Sequence, residues 1–62
     1  MSQRTKKEVL RDLASRLRSA DAHLCELARN ADDSGHDLDA IRLRGKASGV
    51  ILALSYVEEE LR

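Results

Sequence analysis

From Leu10 onward, apolar side chains return at alternating steps of three and four: Leu10, Leu13, Leu17, Ala20, Leu24, Leu27, Ala31. That spacing is a heptad seam, and it predicts a helix whose apolar stripe lies against another helix. A second seam follows with the same spacing: Ala40, Leu43, Ala47, Val50, Leu54, Val57, Leu61. Thr5 and Glu8 stand three apart just before the first seam, as a capping box requires, with the Thr5 hydroxyl accepting from the Glu8 N–H. Between the seams lies Asn-Ala-Asp-Asp-Ser-Gly-His-Asp-Leu-Asp, residues 30–39. Gly35 can take the left-handed conformation that ends a helix. Ser34 or Asp37 is then the candidate cap for the next helix, and the local aspartates suit its positive end. The pattern predicts one unit over 1–62, with helices over about 6–32 and 38–61 and a turn over about 33–37.

Reversing the chain at Gly35 sets the seams face to face in one register. Leu10 meets Leu61, Leu13 meets Val57, Leu17 meets Leu54, Ala20 meets Val50, Leu24 meets Ala47, and Leu27 meets Leu43. The expected fold is all-α, an antiparallel two-helix hairpin. Val9, Ala14 and Ala28 flank the first seam and widen its apolar face.

The second helix carries more apolar surface than the first can cover. Val50-Ile51-Leu52-Ala53-Leu54-Ser55-Tyr56-Val57 is apolar nearly all round, the mark of a buried helix. Away from its seam, Leu38, Ile41, Gly45, Gly49, Leu52 and Tyr56 follow one another at steps of three or four. Two glycines in a helix cost about 1 kcal/mol each relative to alanine. A stripe of small residues lets a second backbone approach closely. These six residues are the expected dimer interface, through which two hairpins form a four-helix bundle with two-fold symmetry.

Size and composition reinforce the need for a partner. A chain of 62 residues buries too little surface to be secure alone, and small domains usually add disulfides, a metal or oligomerisation. Cys25 is the sole cysteine, so no internal disulfide can form, and a reduced cytoplasmic thiol is expected. His23 and Cys25 point about 200° apart on a helix and cannot share a metal. Neither a metal nor a cofactor is expected, and no nucleophile–base set or phosphate loop marks an enzyme. No apolar run approaches the ~20 residues of a membrane span, and no secretory signal is read. Formal net charge is zero, which gives no bulk attraction to nucleic acid or membrane. Charge is nonetheless segregated: residues 1–18 hold six basic and two acidic side chains, while Glu58, Glu59 and Glu60 close the second helix. An antiparallel hairpin brings those ends together. Arg4, Lys7, Arg11 and Arg18 also form a basic stripe that could track phosphates, although no aromatic side chain interleaves with it to stack bases.

In layout the chain resembles the Rop family, plasmid RNA-binding proteins of similar length that dimerise as four-helix bundles. That resemblance implies RNA or DNA binding through the basic face of the first helix. The segment Gly45-Lys46-Ala47-Ser48-Gly49-Val50-Ile51-Leu52-Ala53-Leu54-Ser55-Tyr56-Val57-Glu58-Glu59-Glu60-Leu61-Arg62 is similar to small proteins of actinobacterial phages and prophages that end in Leu-Ser-Tyr followed by acidic residues. It implies an intracellular protein acting on a host or phage component. Two functions stay open on the sequence. One is a non-enzymatic homodimer that binds and modulates another protein; the other is a nucleic-acid-binding regulator.

Overall fold

The computed structural model describes residues 3–62, so the first two positions of the unit expected over 1–62 lie outside the described residues. Two helices make up the fold: α1, Lys6–Asp33, and α2, Asp37–Leu61. Thr5 caps α1, its Oγ1 accepting from Glu8 N at 3.1 Å. The chain turns through Gly35, whose φ is +78°. Gly35 N donates to Asp32 O at 3.0 Å and His36 N to Ala31 O at 2.8 Å, the two bonds of a Schellman closure. This closure changes the expected capping of α2. Ser34 is the C-cap of α1, and α2 begins directly after His36, which offers no side-chain cap. Asp37 and Asp39 lie in the first turn of α2, where their charge favours the helix dipole. Gly45 does not interrupt α2, which runs unbroken for 25 residues.

Two ion pairs bridge the helices and fix their register. Arg18 approaches Glu58 at 3.8 Å, and Arg44 bonds Asp32. From 18 to 32 on α1 and from 58 to 44 on α2 the chain advances fourteen residues on each. The helices are therefore antiparallel, with no slip over that interval. The Asp32 carboxylate raises the pKa of Arg44 by accepting its hydrogen bond and by simple charge attraction.

The core between the helices is mostly alanine. Ala14, Ala28, Ala40, Ala47 and Leu54 are buried, and no large side chain is fully enclosed. On α2 the buried line is the expected seam. On α1 it is shifted: Leu10, Leu17, Leu24 and Ala31 are half-buried as the seam requires. The positions beside them that close against α2 are Ala14 and Ala28, each 1% exposed, while Leu13 and Leu27 remain 39% and 38% exposed. The physical reason is size: helices approach most closely where side chains are smallest, so α1 turns its alanine flank, Ala14 and Ala28, toward the buried line of α2 and its leucine flank outward.

The Cα extents are 49 × 23 × 12 Å. Two helices lie side by side with no third element above or below them among the described residues, so the hairpin is a single layer.

The turn and the helix-interior glycines should respond oppositely to alanine. A Cβ at Gly35 would meet no atom within 4 Å, so Gly35→Ala carries only the left-handed backbone cost, about 1–2 kcal/mol. Gly45→Ala also meets open space and should stabilise by about 1 kcal/mol. Urea unfolding followed by helical circular dichroism measures both signs.

Candidate functional site

The candidate sites are surfaces, because a single layer has no interior to hold a pocket. The six residues of the expected interface all lie in water on the hairpin. Leu38, Ile41, Leu52 and Tyr56 are 70%, 64%, 56% and 60% exposed, and an added Cβ at Gly45 or Gly49 meets nothing. Their place follows from helix geometry. Leu38, Gly45 and Leu52 each stand two residues before a buried position (Ala40, Ala47, Leu54), and Gly49 and Tyr56 stand two after Ala47 and Leu54. Two residues are about 200° of helix, so this stripe lies on the side of α2 turned away from α1. Ile41, next to Ala40, lies about 100° round at its edge.

A second apolar surface was not read from the sequence as a surface at all. It is the trough along one open side of the hairpin. The two ion pairs identify the opposite, polar side. Arg18 and Asp32 lie one turn beyond Ala14 and Ala28, and they meet Glu58 and Arg44 of α2. Asp21, Cys25, Arg44, Ser48 and Ile51 line a cleft on that same side. Cys25 is exposed there, its Sγ 3.7 Å from Asp21 Oδ1. The remaining flanks, Leu13–Ala20–Leu27 of α1 and Leu43–Val50–Val57 of α2, therefore share the other side. The signal for this trough was present in the sequence: the leucine flank of the first seam is more apolar than the alanine flank that α2 covers.

The basic stripe is exposed throughout, at Arg4, Lys7, Arg11 and Arg18. Two of its members are already engaged with carboxylates, Arg4 with Asp12 and Arg18 with Glu58. Arg4 and Lys6 also lie beside Val9, Leu10 and Glu60 where the chain ends meet, as the charge segregation suggested. Acidic side chains thus interrupt the run of positive charge. Among the described residues, no three His, Cys, Asp or Glu side chains are arranged to hold a metal ion, and no helix is long and apolar enough to cross a membrane.

Comparison with known protein families, curated proteins and solved structures gives no match to this chain. Its surfaces must be interpreted from their own chemistry.

If the basic stripe serves only solubility and charge pairing, Arg11→Gln with Arg18→Gln should leave the unfolding free energy within about 1 kcal/mol, the scale of one exposed ion pair. Urea titration of the double variant checks this. Were the stripe a phosphate track, the same pair would lower the salt slope of nucleic-acid binding by about two.

Proposed function

We propose that this chain is a non-enzymatic interaction module: a homodimeric helical bundle that binds and modulates another protein. The observation that carries this reading is that one hairpin bears two separate apolar surfaces, the trough and the outer stripe of α2. Self-association through one leaves the other exposed to a different partner. Exposed apolar patches of this kind mark protein interfaces.

Surface area supports the dimer. A compact monomer of 6.9 kDa exposes about 4,000 Å², whereas this hairpin exposes 5077 Å². The surplus, roughly 1,000 Å², is close to the ~800 Å² that each partner contributes to a standard interface. The interrupted basic stripe and the lack of an aromatic on α1 favour a protein target over a nucleic acid. Action within a cell, on a host or phage component, is what the resemblance of the C-terminal segment to phage proteins implies, and it is part of the same proposal.

Sedimentation equilibrium at micromolar concentration should return about twice the 6.9 kDa chain mass; a stable folded monomer would contradict the dimer. Affinity capture from a cell lysate, with and without nuclease, then separates the target classes. A protein that stays bound after nuclease supports the reading, and a co-purifying nucleic acid overturns it in favour of the regulator.

A further inference from the structure

We propose that the second copy of the chain sits in the trough, against Leu13, Ala20 and Leu27 of α1 and Leu43, Val50 and Val57 of α2, and that the glycine-bearing stripe stays on the outside of the dimer. This rests on the homodimer proposed above and assigns its face. It departs from the expectation that Leu38, Ile41, Gly45, Gly49, Leu52 and Tyr56 form the interface.

Helix phase carries the argument. In a four-helix bundle each helix touches two neighbours, and its apolar seam faces the shared centre between them. On α1 the line Leu10, Leu17, Leu24, Ala31 has an alanine flank about 50° to one side and a leucine flank about 50° to the other. The alanine flank is the one closed by α2: Ala14 and Ala28 are 1% exposed. The leucine seam is thus rotated off α2 toward the open trough, which is where a bundle centre would lie. The α2 seam shows the same bias. Its flank toward the trough is Leu43, Val50 and Val57, all half-buried, and its flank toward the polar side is Arg44, Ile51 and Glu58. Both helices therefore aim their larger apolar flank at the same open side, and only a second layer there can cover both at once.

The outer stripe has the wrong direction for a bundle. It lies on the far side of α2 from α1, so pairing through it would set four helices in a row, still one helix thick. Leu13 and Leu27 would remain in water, and the 12 Å thickness would not change. Pairing through the trough stacks two layers, the arrangement that encloses a core. A second copy is the occupant because its own trough is the matching surface under two-fold symmetry, and because the surplus area of one hairpin is close to what one protomer contributes to a standard dimer.

The test compares a charge placed on each face. Leu27→Glu should weaken self-association about a hundredfold or more in sedimentation equilibrium, since a carboxylate would be buried without a partner. Leu52→Glu should leave the dimer intact. The reverse order would overturn the face assignment while leaving the homodimer standing; loss of the dimer in both variants would overturn the exclusive use of the trough. A monomeric parent chain would overturn the homodimer and this assignment together. Thiol labelling gives a readout that does not depend on a disruptive charge. In a Cys25→Ser background, a cysteine introduced as Leu27→Cys should react with a maleimide about tenfold more slowly than one introduced as Leu52→Cys, burial being what withholds a thiol from reagents. Equal rates, or the opposite order, would overturn the proposal.

Discussion

Two helices in contact share one line of each surface, and most of each circumference stays in water. Everything else in this structure follows from that geometry. The hairpin solves its local problem well: a cap at Thr5, a Schellman turn at Gly35, two cross-helix ion pairs and an alanine core that brings the backbones close. Yet among the described residues this single layer buries one leucine alone, Leu54. Val9, Leu13 and Leu27 of α1 and Leu38, Ile41, Ile51, Leu52 and Tyr56 of α2 are exposed by 38% or more. Hydrophobic stabilisation scales with area removed from water, so the favourable term that a small domain most needs is largely unrealised in the single chain.

The alanines explain how the hairpin and the proposed second layer would not compete for the same residues. Small side chains serve the contact within the chain, where close approach compensates for small area. Large side chains such as Leu13 and Leu27 are left exposed, available to the proposed contact between layers. Arg44 with Asp32 and Arg18 with Glu58 close the other side of the hairpin with charge, which leaves the trough as the apolar side for the proposed association. Such exposed pairs add little stability. Their larger effect is to make one orientation of the layer different from the other.

Much of this was legible in the sequence because its signals are local. Thr5 with Glu8, Gly35 between two aspartate-rich steps, and the unbroken spacing from Ala40 to Leu61 each specify a backbone event within a few residues. The phase of α1 was not legible, for a physical reason. Its heptads offer two adjacent apolar flanks, Leu13–Ala20–Leu27 and Ala14–Asp21–Ala28. Hydrophobicity ranks the leucines first, and an aspartate at position 21 argues against the other flank. Closeness of approach ranks the alanines first, and Asp21 is accommodated half-buried at the polar cleft. Periodicity cannot decide between these, because the choice depends on the size of the residues opposite. The glycine stripe was legible as a stripe, but its direction relative to α1 became readable only once Ala40, Ala47 and Leu54 were seen to be buried.

The central claim is that this hairpin completes its core only by association, so folding and assembly are one equilibrium. Thermal unfolding followed by circular dichroism over a hundredfold range of protein concentration tests it most directly, because mass action makes the midpoint of an associating fold depend on concentration. The account predicts a midpoint that climbs steadily with concentration. A cooperative transition at one fixed temperature across the whole range, with full helix content in the most dilute sample, would contradict it.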